Sequence, residues 1–186
     1  MYKNTQIFAE VKTHSPFGYK SEKNWDELFN IANEIGDVIS IHTDPRWGGS
    51  FDLIKKARSL TDKPILAKGI HASDEEIVKA IDNGADLVLV VGRVPAVHLE
   101  KCLIEVLNLA ELNEIKNIKE NIKVVWNSRD LSDGSVKEEK FEDARQIFKG
   151  WLCQASNIRT VGDIKEGANA VLVGSNLEEF AESLKD

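Results

Sequence analysis

Eight short apolar runs, separated by amphipathic stretches, constrain the fold of this chain more than any other feature. The runs lie at 6–12, 38–42, 64–68, 87–91, 102–106, 123–127, 151–155 and 170–174. Runs that are apolar at nearly every position, such as LVLVV at 87–91, are typical of parallel strands buried on both faces. The intervals predict helices at 24–35, 50–60, 73–83, 108–118, 138–148, 160–167 and 176–185.

Strands that alternate with helices in this way form parallel sheets whose faces are covered by the helices. Eight such units close a (β/α)₈ barrel, so we predict a single TIM-barrel domain over residues 1–186. With 186 residues the chain is short for that fold. The segment 92–101 is too short for a helix, so we predict a trimmed barrel that lacks most of the helix between strands four and five. An open doubly wound sheet, which needs fewer strands, is the alternative.

The stretch 97–122 permits two interpretations. Leu99, Leu103, Val106, Leu107 and Ala110 recur at helical spacing, which would make one long helix and place Glu105 on its surface. We favour a strand followed by a helix, partly on the family spacing given below.

Composition excludes several classes of function. The net charge of −7 argues against a nucleic-acid or anionic-membrane surface. The sequence contains no run of 18 apolar residues and no signal-peptide pattern, so we expect a cytoplasmic protein. Cys102 and Cys153 sit in apolar segments without metal-ligand spacing, which predicts buried, reduced thiols. The four histidines are scattered and form no metal-ligand spacing, so we expect no metal site.

Two lysines, Lys12 and Lys68, end predicted core strands. A lysine is rarely buried unless it is paired or functional. Glu10 shares a strand face with Lys12, because residues two apart point the same way. These residues predict a site for an anionic substrate, whereas the alternative is that each lysine marks only where its strand emerges into water.

Other polar residues follow the predicted strands. The carboxyl ends of barrel strands carry the catalytic groups in TIM-barrel enzymes. The turn at Gly174-Ser175 leads from a strand into a helix, where backbone N–H groups favour a phosphate. The polar residues at these ends are Glu10, Lys12, Lys68, Glu105, Asn127, Ser156 and Ser175.

These segments resemble indole-3-glycerol-phosphate synthases of tryptophan biosynthesis, from about residue 6 to residue 180. AEVKTHSPFG resembles the first-strand signature of the family, and PILAK resembles the third strand with its lysine. CLIEVLNLAEL is similar to the fifth strand, WNSRDL to the sixth and AVLVGSNL to the phosphate turn after the eighth.

The resemblance implies a carboxy-lyase that closes the indole ring of 1-(2-carboxyphenylamino)-1-deoxyribulose 5-phosphate with loss of CO₂ and water. It also implies that no metal or organic cofactor is required. By that resemblance, Lys68 is the general acid and Lys12, oriented by Glu10, holds the substrate carboxylate. Glu105 is the general base for dehydration, and Asn127 positions hydroxyls or water. The residues implied in binding phosphate or carboxylate are Ser15, Arg129, Ser156, Gly174 and Ser175.

The chain departs from the family pattern at several places. The family carries an N-terminal helical extension that covers the site, whereas five residues precede the first strand here. Gly69-Ile70 stands where the family has Asp-Phe, and Ala155 and Asn157 replace a glutamate and a glycine. These departures favour an alternative, a barrel that binds or converts another sugar phosphate. A non-catalytic paralogue is a further alternative, against which the retained buried lysine and glutamate argue. The missing helix also predicts an apolar surface that a second copy could cover in a homo-oligomer.

Overall fold

The computed structural model describes residues 4–118 and 121–185. Eight parallel strands pair in chain order, and the eighth pairs with the first to close a barrel. The TIM-barrel prediction is therefore confirmed, and the open doubly wound sheet is excluded. The strands are β1 (Gln6–Val11), β2 (Val38–His42), β3 (Ile65–Lys68), β4 (Leu87–Val91), β5 (Cys102–Val106), β6 (Lys123–Asn127), β7 (Leu152–Ala155) and β8 (Ala170–Val173).

Six α-helices in the described residues cover the outside of the barrel. Two of them begin at reciprocal capping boxes, formed by Asn24 with Glu27 and by Ser73 with Glu76. None of the helices in residues 4–118 and 121–185 is long and apolar enough to cross a bilayer. The helices are α1 (Trp25–Ile35), α2 (Phe51–Leu60), α3 (Asp74–Asp82), α4 (Leu109–Ile115), α5 (Phe141–Ile147) and α6 (Leu177–Ser183).

Alternation along each strand divides the core into two layers. In β6, Val125 belongs to the cluster inside the barrel, whereas Val124 and Trp126 pack in the outer cluster against the helices. Cys102 and Cys153 are both buried free thiols, as predicted.

The stretch 97–122 is a strand followed by a helix, so the single long helix is excluded. A turn of 3₁₀ helix at Leu99–Lys101 replaces the α-helix between β4 and β5, as the length of the segment predicted. Arg93 stabilises this short connection by donating to the Asp74 carboxylate and the His71 carbonyl.

The predicted helix at 160–167 is wrong. The segment contains only a 3₁₀ turn at Val161–Asp163, and Gly167 follows with a positive φ of 82°. The side chain of Gln154 on β7 binds the backbone at both Asp163 and Lys165, which holds the segment in an extended path. These contacts satisfy backbone groups that a helix would otherwise pair internally.

Candidate active site

A cavity of about 410 Å³ opens at the carboxyl ends of the strands. A smaller cavity of about 40 Å³ adjoins it beside β8. All ten residues proposed from the sequence line one or both of these cavities. Those in the larger cavity are Lys12, Ser15, Lys68, Glu105, Asn127, Arg129, Ser156 and Ser175, and the smaller one adds Glu10 and Gly174.

Glu10 lies at the centre of a buried ionic cluster. Its Oε2 accepts a hydrogen bond from Lys68 Nζ at 2.6 Å, and its Oε1 lies 2.6 Å from His42 Nε2. Lys12 Nζ lies 3.5 Å from the same Oε1. Three strands thus place basic groups around one carboxylate, whose side chain is only 1% exposed.

The charges in this cluster shift one another's pKa. Burial alone would raise the pKa of Glu10, but Lys68, His42 and Lys12 together hold it well below its usual value. Burial lowers the pKa of Lys12, an effect that Glu10 opposes and Lys68 reinforces. Glu10 is therefore a permanent anion at neutral pH, and it can only accept hydrogen bonds.

Glu105 is the second buried carboxylate in the site. Burial raises its pKa, and the nearby Lys68 and Lys137 only partly oppose this effect. Its Oε1 accepts from Asn127 Nδ2 at 3.4 Å, whereas Oε2 has no hydrogen-bond partner among the described residues. A carboxyl group with a raised pKa and one free oxygen is suited to transferring protons near neutral pH.

The amide of Asn127 is held by its neighbours. Its Oδ1 accepts from the hydroxyl of Ser156 at 2.7 Å and from the backbone N–H of Arg129 at 3.0 Å. These two contacts define the carbonyl end of the amide, so the N–H₂ group faces Glu105.

The turn after β7 has an unusual backbone, and the turn after β8 packs closely against Glu10. Ser156 and Asn157 both have positive φ, at 68° and 57°, a region that costs most side chains energy. At Gly174, an added Cβ would lie 2.6 Å from Glu10 Oε1, so glycine is required here by the carboxylate. Both turns border the smaller cavity.

Arg129 and Ser15 belong to long loops over the site. Arg129 donates to the Gly134 carbonyl, while Asp130 accepts from Ser132, so these two neighbouring charged residues do not pair with each other. The hydroxyl of Ser15 accepts from the N–H groups of Phe17 and Tyr19, which shapes the loop after β1.

Two departures from the family pattern have local explanations. An added Cβ at Gly69 would lie 2.4 Å from Thr43 Oγ1, which is hydrogen-bonded to His71 at 2.8 Å. Ala155 faces the barrel interior within an apolar cluster. The apolar side of the cavity is instead formed by Phe17, Trp47, Ile70, Leu89, Val91 and Leu131.

The sequence alone does not decide whether His42 lines the pocket or is structural, and it does not single out Phe17, Tyr19 or Arg159. His42 shares the inward face of β2 with Val38 and Ser40, and this alternation was the available signal. The other three lie in loops, where no periodicity indicates direction, yet all of them line the larger cavity. Within residues 4–118 and 121–185, no three His, Cys, Asp or Glu side chains group as metal ligands would.

Solved structures with related folds include 3-hexulose-6-phosphate synthase, with a TM-score of 0.69 and 16% identity. That match covers 96% of this chain and 99% of the other. A mutant tryptophan synthase alpha-subunit from Pyrococcus furiosus has a TM-score of 0.65 at 16% identity, with both chains fully covered. At this identity the similarity is one of fold.

Relatives found by sequence share a higher identity with this chain than the solved structures above. The indole-3-glycerol phosphate synthase of Pyrococcus furiosus is 31% identical, with 98% of this chain and 91% of the relative covered. The enzyme of the same name from Sulfurisphaera tokodaii is 26% identical, with 97% and 81% covered. The family model for indole-3-glycerol phosphate synthase matches residues 2–185. The chain belongs to the indole-3-glycerol phosphate synthase family.

Proposed function

We propose that this protein converts 1-(2-carboxyphenylamino)-1-deoxyribulose 5-phosphate to indole-3-glycerol phosphate, CO₂ and water. One observation carries this function: the Lys12, Lys68, Glu105 and Asn127 side chains line one cavity in a chain of that family. The cavity volume of about 410 Å³ lies in the range of small-molecule sites.

Charge supports an anionic substrate. The larger cavity is lined by Lys12, Lys68, Arg129 and Arg159, and its one carboxylate in the described residues is that of Glu105. The proposed substrate carries a carboxylate at one end and a phosphate at the other. In this assignment, Lys12 binds the carboxylate, since Glu10 engages it only at 3.5 Å.

Ring closure joins the ring carbon that bears the carboxylate to the ketone carbon of the sugar chain. Lys68 donates a proton to the ketone oxygen, which becomes a hydroxyl as the new carbon–carbon bond forms. The carbon–carboxylate bond then breaks, and its electron pair restores the aromatic ring. Glu10 accepts a hydrogen bond from Lys68 Nζ and so holds this nitrogen in place.

Dehydration completes the indole. Lys12, released from the carboxylate when CO₂ departs, donates a proton to the hydroxyl, which leaves as water, and Glu105 accepts the proton that the ring system loses. Its raised pKa and free Oε2 support that role. Asn127, held by Ser156, positions the substrate hydroxyls.

The phosphate is assigned to the smaller cavity. Ser156, Asn157, Gly174 and Ser175 surround it. Ser15 extends this contact from the β1 loop, and Arg129, which lines both cavities, binds one of the two anionic groups.

The test is a fluorescence assay for indole-3-glycerol phosphate with the wild type and Lys68→Ala. Loss of a general acid should lower kcat by roughly 10²- to 10⁴-fold. Lys55→Ala is the matched control, because Lys55 is exposed on α2, outside the cavities. Full turnover by Lys68→Ala would exclude Lys68 as the acid, and absence of product with the wild type would refute the function.

A second candidate is a barrel that binds another sugar phosphate, and Ala155 in place of the family glutamate favours it. In that case calorimetry should detect binding of a ribulose- or glycerol-phosphate analogue, while the fluorescence assay detects no indole product.

A further inference from the structure

His42 has contacts that the proposed chemistry does not use. Its ring lies at the carboxyl end of β2 and is 4% exposed. Nε2 lies 2.6 Å from Glu10 Oε1, and Nδ1 has no partner in the part of the chain that the structure describes. In the sheet register His42 stands directly beside Lys68 on β3.

The protonation state of the ring follows from these contacts. Burial lowers the pKa of His42 below its usual value, although Glu10 opposes the shift, so the ring is neutral at pH 7. The Glu10 carboxylate can only accept, so Nε2 must carry the proton, and Nδ1 is left with a bare lone pair.

Stacking against Trp47 also orients the His42 ring. Trp47 lies nearly parallel to His42, with an interplanar angle of 2° and centroids 6.0 Å apart. Phe17 meets Trp47 edge-on at 6.1 Å. The aromatic contacts therefore connect the β1 loop to the hydrogen bond on Glu10.

The two carboxylate oxygens of Glu10 accept hydrogen bonds from different residues. His42 occupies Oε1 and Lys68 occupies Oε2, each at 2.6 Å. Lys12, at 3.5 Å from Oε1, lies beyond the usual 2.7–3.2 Å of an N–H···O bond. A neutral donor at position 42 satisfies the carboxylate without adding a third positive charge.

We propose that His42 is a positioning residue that, by donating to Glu10 Oε1, keeps the ammonium of Lys12 free for an anionic ligand. Without this donor, Lys12 moves onto Oε1, because an ionised oxygen in a buried site requires a hydrogen-bond partner. The effect of His42 on turnover rests on the proposed function, whereas its effect on Lys12 does not.

Two variants at one position test this role. His42→Leu removes the donor, and His42→Gln retains an uncharged N–H donor. We expect His42→Leu to lower kcat/KM roughly 10- to 100-fold, largely through KM, and His42→Gln to recover most of that loss. Equal losses in both variants, or none in His42→Leu, would overturn the proposal.

Two measurements do not require turnover. Imidazole ¹⁵N spectra of the wild type should show His42 protonated at Nε2 and bare at Nδ1 at pH 7, with assignment by loss of the signals in His42→Gln. The charged groups that face the ring are Glu10 on β1, Lys12 directly after β1, Lys68 on β3 and Asp44 in the loop after β2. A charged ring or an Nδ1–H tautomer would overturn the proposal.

A crystal structure of His42→Leu provides the second measurement. Lys12 Nζ should move from 3.5 Å to hydrogen-bond distance of Glu10 Oε1. If Lys12 stays in place, the proposal is wrong even where the enzyme forms indole product. If Lys12 moves and the wild type forms no product, the role of His42 stands and only the proposed function fails.

Discussion

Gly174→Ala tests whether the Glu10 cluster is as rigid as its contacts indicate. The added Cβ would lie 2.6 Å from Glu10 Oε1 and 2.9 Å from its Cδ, where ordinary contact begins at 3.4 Å. To reach ordinary contact, the carboxylate must therefore shift by about 0.5 Å at Cδ and by about 0.8 Å at Oε1. It is held by two hydrogen bonds of 2.6 Å, from Lys68 and His42, so the shift weakens at least one of them.

The weakened hydrogen bond to Glu10 sets the expected change in the free energy of unfolding. A hydrogen bond to a charged group contributes about 1.5–3 kcal/mol, and overpacking a core costs about 1–3 kcal/mol. We expect Gly174→Ala to lower the free energy of unfolding by about 2 kcal/mol. Urea denaturation followed by circular dichroism measures this as a lower midpoint at unchanged m-value.

Gly162→Ala is the matched control. Its added Cβ meets only Thr160 Oγ1, at 3.4 Å, so its stability should stay within about 0.5 kcal/mol of the wild type. A double-mutant cycle with Glu10→Ala then assigns the cause, because removing the carboxylate should abolish most of the cost of Gly174→Ala. An equal cost in both backgrounds would refute the reasoning.

Two further predictions concern the other turns and carboxylates of the site. Because burial raises the pKa of Glu105, its favourable contribution to stability is present below its unfolded-state pKa and is lost as the pH rises through the folded-state pKa. In urea denaturation, Glu105→Gln should therefore be at least as stable as the wild type at pH 7, and the difference in unfolding free energy should shrink towards pH 5. Turnover should fall at least about 100-fold. A variant less stable than the wild type at pH 7 would contradict this prediction. Asn157→Ala should lose about 1–2 kcal/mol in the same measurement, because alanine is disfavoured at a φ of 57° and the bond to Ser128 is lost. Asn157→Gly should cost clearly less, and equal costs would show that backbone strain is not the cause.

Local patterns predicted most of the barrel, and the family spacing helped to place the fifth strand. Apolar runs of five to seven residues at regular intervals are typical of parallel strands buried on both faces, and eight of them close a ring. The same pattern predicted that the polar residues at the strand ends lie together, because the carboxyl ends of parallel strands lie at one rim, whereas Ser15 and Arg129 were proposed from the family resemblance. The segment 160–167 was mispredicted because the side chain that holds it, Gln154, lies on another element.

The sequence by itself determined which strands form and which of their ends carry charge, since both depend on residues near one another in the chain. Only the tertiary structure decided how the basic groups share Glu10. Lys12, Lys68 and His42 come from three strands, and their distances to the two carboxylate oxygens differ by less than 1 Å. A difference of that size depends on strand register and on packing by Trp47 and Gly174, which no local pattern records.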